Sequence, residues 1–553
     1  MPAKWPKNTI FKEVTLDVEN KVCRHCGSKL FVCDHRVHCI YTLEGPLKLI
    51  CKLAHCSNGQ CFNHSILLSP EAEITLTMPR FRYGWDVFAW IGFRRFKRHW
   101  SIPQLQGELS DTYQISLSEN TINTYLEKYQ IMVSARHQDL NRWREEYKDC
   151  SDIILTIDGL QPSISHETLY VVRELRKERI WFAEALLGAI TDEIRKLIKR
   201  AKDLSQQLNK SVRGWVSDKQ DVFVTTIADE FPNTPHRFCD NHFLRDLAKP
   251  VLEKDSHAKV QMRKKVRGLR SIEKETLAEL DQYTSSDGIL TLDEKKLVES
   301  VVMDYCATVR GILNDNHGGP LTPAGLRMSQ ALEEVSKSLE RNLKRRKTII
   351  TSKLKRLNGC IQRGLSIYEQ DKTEIVKYVK EIKKVFRTLE QEKGELKKRH
   401  TRFKRLKSQL IDPNDPIKIH MYKVMDSFEA GLFVGNDESK IPGDNLDLER
   451  WFKKPKGHER KIHGRKHTGI RMVYEGPTLL PALDAHLTRT KPFTYQELLP
   501  YVEAEPPESQ IKSKERNRIM TKASSKKKSH FIKRIREKIS QYITININKL
   551  IFI

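Results

Sequence analysis

Between residues 150 and 240 the chain carries short apolar runs rich in β-branched and aromatic residues, each bounded by polar or turn-forming residues. The runs are Ile153–Ile157, Leu169–Val172, Ile180–Leu186, a segment from Val212 to Asp218, and His236–Cys239. Such runs predict strands. Helical spacing appears between them at about 191–208 and 219–230, so the order of elements predicts a mixed α/β sheet. After His242 the period changes from two to three and four. Leu332, Val335, Leu339 and Leu343 form one stripe, and Ile375, Val379, Ile382, Phe386 and Leu389 form another. Dense Lys, Arg and Glu surround both stripes, which predicts long amphipathic helices packed as a bundle or a coiled-coil hairpin. The sequence Ile411-Asp412-Pro413-Asn414-Asp415-Pro416 breaks them.

Upstream of the sheet, residues 80 to 148 also read as helical. Ser101-Ile102-Pro103 opens one helix with a capping residue and an early proline, and a second begins near Ser116, with Ile122, Tyr125, Leu126 and Tyr129 on one face. A helix pair joined by Asp111–Ser116 resembles a helix-turn-helix, whose second helix would enter a major groove; plain helical packing is the alternative. Nearer the start, Leu47, Leu49, Cys51 and Leu53 alternate as a strand does.

At 553 residues the chain needs several cores. The patterns divide it into a zinc-ribbon-like module at 1–70, a helical helix-turn-helix-like domain at 71–148, and a first part of the α/β core at 149–248. An all-α insertion at 249–435, a second part of the core at 436–490 and a basic tail at 491–553 follow. From Ser509 to Ser540 that tail holds twelve Lys or Arg against Glu515 and Glu537, the composition of a flexible extension. The whole chain holds 98 Lys and Arg against 71 Asp and Glu, a formal net charge of +27. An excess this large points to a polyanionic partner, nucleic acid ahead of membrane. No signal-peptide core or membrane-length apolar run is present, so a soluble intracellular protein is expected.

Seven of the eleven cysteines lie between Cys23 and Cys61. Cys23-x2-Cys26 followed by Cys56-x4-Cys61 matches the ligand spacing of a zinc ribbon, in which four thiolates close a tetrahedron. Cys51 and Cys56 have the same spacing, but Cys51 fits the strand. His25, Cys33, Cys39, His55 and His64 are further competitors.

Asp158 ends the run Ile153–Ile157, and Asp218 follows Val212–Ser217. A carboxylate lifted to the end of a strand can ligate a hard divalent cation; a turn or capping role is the bland alternative. Cys239 and His242 follow in Phe238-Cys239-Asp240-Asn241-His242, and Glu449 lies far downstream in Asp444-Asn445-Leu446-Asp447-Leu448-Glu449-Arg450. The order strand, Asp158, Asp218, Cys239-x2-His242, helical stretch, Glu449 resembles the DDE transposases with a ribonuclease-H-like core. It is most similar to those of bacterial insertion sequences, and shares the C-x2-H motif and all-helical insertion of Mutator-like and hAT-like enzymes. The resemblance covers roughly Asp152 to Leu487.

It implies a multidomain α/β protein whose ribonuclease-H-like sheet is interrupted by the helical insertion. It further implies that Asp158, Asp218 and Glu449 hold two Mg²⁺ or Mn²⁺ ions for in-line phosphoryl displacement, cleaving transposon ends and then transferring the 3′-OH to target DNA. Asp447 and Glu459 compete for the Glu449 role. Cys239 and His242 would support the active-site fold. Arg450, Lys453, Lys454, Lys456, Arg460, Lys461, Arg465 and Lys466 would contact DNA phosphates, unless they form a solvated charged face. Partners would be double-stranded DNA and a second copy of the chain, at least a dimer on DNA, in a cytoplasmic, nucleoid-associated setting. A DNA-binding protein without catalysis and a ribonuclease-H-like nuclease are the competing functions.

Overall fold

A computed structural model describes residues 9–162, 166–285, 291–344, 350–435, 440–464, 469–524 and 532–542. The chain forms two compact units: residues 1–215, 220–234 and 446–553 make the first, and 216–219 with 235–445 make the second.

The first unit opens with β1 (Lys12–Leu16), β2 (Leu30–Thr42) and β3 (Gly45–Cys56), in the order β1-β3-β2. β1 runs parallel to β3, and β2 antiparallel. The alternation around Cys51 thus belongs to a strand of twelve residues. Its inward residues Leu49, Cys51 and Leu53 join Leu16 and Ile40 in a small core, which α1 (Glu71–Leu76) covers with Ala72 and Leu76.

Helices α2 (Trp85–Arg98), α3 (Ile102–Tyr113), α4 (Glu119–His137) and α5 (Leu140–Glu146) follow. Ser101 caps α3 in a reciprocal capping box with Gln104, and Pro103 sits in the first turn, where its missing N–H costs nothing. Ser118, two residues later than the expected start, caps α4 by accepting from Thr121 N–H. Ile122, Tyr125, Leu126 and Tyr129 are buried, so this face of α4 is core.

The second sheet comprises β4 (Asp152–Leu160), β5 (Thr168–Glu174), β6 (Arg179–Leu186), β7 (Ser211–Ser217) and β8 (His236–Phe238), in the order β6-β5-β4-β7-β8. The β4–β5 and β5–β6 pairs are antiparallel. Helix α6 (Thr191–Gln207) connects β6 to β7, and α7 (Asp221–Glu230) connects β7 to β8. The division between the units passes through β7 after Trp215. Trp143, Trp181, Trp215, Phe182 and Phe223 pack on one side of the sheet with the buried stripe of α6.

The second unit is helical beyond β8: α8 (Asp240–Lys265), α9 (Leu269–Ser285), α10 (Leu292–Asn314), α11 (Ala324–Leu343), α12 (Thr351–Leu389), α13 (Leu396–Ser408) and α14 (Pro416–Leu432). The two apolar stripes fall on α11 and α12, which pack with α8 as a bundle. Buried Asp255 on α8 ties the three together. Its carboxylate accepts from Gly325 N–H at 2.7 Å, Leu326 N–H at 2.9 Å and the Tyr368 hydroxyl at 2.6 Å. That satisfies amide donors at the start of α11 that have no partner within the helix. The Asp-Pro break behaves as expected, with Asp415 capping α14 and Pro416 opening it.

The chain then returns to the first unit with α15 (Leu446–Trp451), α16 (Lys453–His463), α17 (Gly469–Ala485), α18 (Tyr495–Leu498) and α19 (Glu508–Ala523). α17 packs against β5, β6 and α4, and its residues share a core with α2, α3 and α4. Gly476 permits the close approach, since a Cβ there would lie 2.5 Å from the Leu169 side chain. The expectation of a flexible extension from Ser509 needs correction over its first part. α19 packs on α17, burying Gln510 and Ser513, and Gln510 Oε1 accepts from Thr478 N–H and its hydroxyl. Basic residues on its outer face hid this anchoring. Among the described residues no helix is long and apolar enough to cross a membrane.

Candidate functional site

Cys23, Cys26, Cys56 and Cys61 come together with their sulfur atoms all within 4.8 Å of one another. Cys23 and Cys61 are 3.8 Å apart, and Cys26 and Cys56 3.3 Å. Tetrahedral Zn–S bonds of about 2.3 Å give S···S edges of about 3.8 Å, so the four thiols can hold a metal such as zinc. Two local turns make this possible. Gly27, at φ +74, lets the chain reverse after Cys26, with its N–H donating to Cys23 O; Asn58 does the same work between Cys56 and Cys61 through its backbone carbonyl. Asn63 Nδ2 and Asn58 N–H donate to the sulfurs of Cys23 and Cys56, contacts that favour thiolate. The Asn63 amide pulls the Cys23 thiol below its ordinary range, whereas burial pushes Cys56 above it. His25 Nδ1 lies 3.7 Å from Cys61 Sγ, beside the cluster. Cys33 is exposed and donates to Leu53 O, and His64 meets Cys56 O instead.

Asp158 lies where β4 leaves the core: Asp152 through Ile157 are buried, and Asp158 is half-buried. One of its oxygens accepts from Gly159 N–H at 2.7 Å, and Val171 is its cross-strand partner. Helix α15, carrying half-buried Glu449, packs against β4 in the same unit. Its orientation is fixed by buried charge. Arg173 Nε donates to Asp447 at 2.6 Å, which takes up one of the two competitors of Glu449. Trp451 Nε1 donates to Asp484 Oδ1 at 2.9 Å. Asp484 on α17 also accepts from Ile180 N–H at 2.9 Å and lies 3.2 Å from His137 Nε2 and 3.5 Å from Arg173. Burial alone would push the Asp484 carboxyl up, but His137, Ile180 N–H and Arg173 together bring it below its ordinary value. His137 is held neutral by burial. Sequence reading missed Arg173, Asp484 and His137, whose partners are separated by up to several hundred residues.

The other competitor, Glu459, faces inward from α16. It is fully buried near Arg95 and Arg471, and burial pushes its carboxyl up to about 7.

Asp218 belongs to the second unit and directly follows β7. Ser217 donates to Asp218 O at 2.7 Å and contacts His236 Nε2 at 2.8 Å, while Ser217 O accepts from Cys239 N–H. The Cys239 thiol donates to Asn445 Oδ1 at 3.0 Å, and Asp240 N–H donates to Gly443 O. Burial pushes that thiol up to about 12, so it acts as a neutral donor. Cys239 therefore anchors the residue that immediately precedes α15. His242 is half-buried in the first turn of α8.

On α16, Lys453, Lys454, Lys456, Arg460 and Lys461 are exposed while Pro455, His458, Glu459 and Ile462 are buried, and Arg450 is exposed on α15. Arg465 and Lys466 lie outside the described residues. Lys453, Lys454 and Lys461 line a cavity of about 330 Å³ with Lys97, His99 and His458. The Nδ1 atoms of His99 and His458 are 2.9 Å apart, and burial lowers both imidazoles. No known family model matches the chain, and no curated protein matches its sequence.

Proposed function

We propose that this protein is a DDE-type DNA transposase, with Asp158, Asp218 and Glu449 as its catalytic carboxylates. The observation that carries the reading is the sheet order β6-β5-β4-β7-β8, which sets β4, bearing Asp158, beside β7, with Asp218 directly after it. The packing of α15 on β4 supports Glu449 as the third member. Oxygen-only donors suit Mg²⁺ or Mn²⁺, which when bound would polarise the scissile phosphate and the attacking oxygen. The chain's own groups position the rest. Arg173 and Asp484 hold α15, Cys239 holds the chain entering it, and the exposed cations of α15 and α16 offer phosphate contacts that fix DNA without reading bases. In this reading the four-thiol module holds zinc and, with the α3–α4 pair, recognises element ends.

The test is incubation of the full chain with terminal-repeat DNA and Mg²⁺. Strand cleavage and transfer are expected, and Asp158→Ala or Asp218→Ala should lower both at least a hundredfold, as loss of one electrostatic stabiliser does, with DNA binding kept. Binding without cleavage by the parent protein would favour a non-catalytic DNA-binding function. Cleavage without end preference or strand transfer would favour a general nuclease.

A further inference from the structure

A second group of metal-ligating side chains lies in the N-terminal sheet, away from the four cysteines. His38 on β2, Cys51 on β3 and Glu73 on α1 each bring one donor atom within 4.8 Å of the others. The register explains the meeting: Cys51 pairs across the strands with Arg36, so His38, two residues further along β2, shares its face. α1 then lowers Glu73 onto that face.

The two oxygens of Glu73 have different surroundings. Arg36 donates to Oε2 and also to Ser69 Oγ, while Oε1 lies 3.5 Å from His38 Nε2. A separation of 3.5 Å is close to the edge of a tetrahedron built on bonds of about 2.0–2.1 Å. Arg36 thus orients the carboxylate from behind, as outer partners of metal ligands commonly do. Cys51 is fully buried, whereas His38 and Glu73 open onto a surface cavity of about 600 Å³.

We propose that His38, Cys51 and Glu73 form a second zinc site, with its fourth position facing that cavity and filled by water. Imidazole, thiolate and carboxylate are the donors zinc accepts, and three protein ligands with one open position is a recurrent zinc arrangement. One thiolate and one carboxylate balance the 2+ charge, with the Cys51 proton released on binding. This site does not depend on the transposase reading.

The test is metal analysis and cobalt titration of the full chain. His38→Ala and Cys51→Ala should each bind one metal equivalent fewer than the parent, while the strong four-thiolate cobalt spectrum is retained. The lost equivalent should carry a weaker thiolate-to-cobalt band, reflecting one Co–S bond against four. His38 is partly exposed and outside the small core, so its variant keeps the test valid should Cys51→Ala not fold. Unchanged metal content in His38→Ala, or loss of the four-thiolate spectrum in place of the weaker one, would overturn the proposal.

Discussion

Replacing Asp484 by alanine should release the helix that carries Glu449. The carboxylate accepts from Ile180 N–H and Trp451 Nε1–H and faces His137 and Arg173, all inside the first unit. Removing it leaves a buried guanidinium with one acidic partner fewer and two N–H donors without an acceptor. Breaking a buried ion pair from one side costs about 3–5 kcal/mol, a large part of the roughly 5–15 kcal/mol that holds a domain folded. Amide hydrogen exchange by mass spectrometry reads this locally. Protection in α15 and α17 should fall by about two to three and a half orders of magnitude, with the helices of the second unit unaffected. Asp484→Asn keeps one oxygen acceptor and should lose less. A change below about 0.5 kcal/mol in Asp484→Ala, as at a typical surface position, would refute the assignment of α15 to this network.

Acid should destabilise the first unit before ordinary carboxylates titrate. Burial lowers His486 to about 3, below the roughly 6.5 of the unfolded chain, so the unfolded state binds the extra proton and stability falls as pH drops through 6.5. At pH 5 this one group should cost about 2 kcal/mol in urea unfolding, and His486→Gln should flatten the profile. On DNA, each of Lys453, Lys454, Lys456 and Lys461 that touches a phosphate should lower the slope of log K against log salt by about 0.9 when changed to alanine; unchanged slopes in all four would leave α16 as a solvated face. Chelation should open residues 12–61 to protease while sparing α8–α14, because a structural zinc of the four-thiol kind contributes about 10–16 kcal/mol to its module.

The sheet was legible because its strands are short, apolar and β-branched: Ile153–Ile157 can hardly be anything else. β2 was not, since Asp34, His35 and Arg36 lie on a largely exposed strand and mask its alternation. α17 was also hidden, because Pro477 and Pro481 sit inside it and proline ordinarily ends a helix. The four-cysteine cluster followed from spacing, with Cys51 set aside for its strand position. No local pattern announces Arg173 with Asp447 and Asp484, since the pairing needs the chain to return after the whole helical unit. The place of His38 beside Glu73 was hidden for another reason: it depends on the β2–β3 register and on α1 packing over that face, which no local spacing announces.

The shared core of α2–α4 and α17 has a consequence for how the protein is made. Tyr129 hydrogen-bonds His486 across 357 positions, and Phe96 stacks on both His458 and His486. At about 5–20 residues per second, a ribosome needs on the order of 20–70 s to supply those partners after α4 has emerged. For that interval Phe88, Phe96 and Tyr129 lack the helix that covers them, while the second unit can already close on itself. Ribosome-bound chains halted before residue 469 should therefore retain a chaperone on the N-terminal helices that the chain released after synthesis gives up.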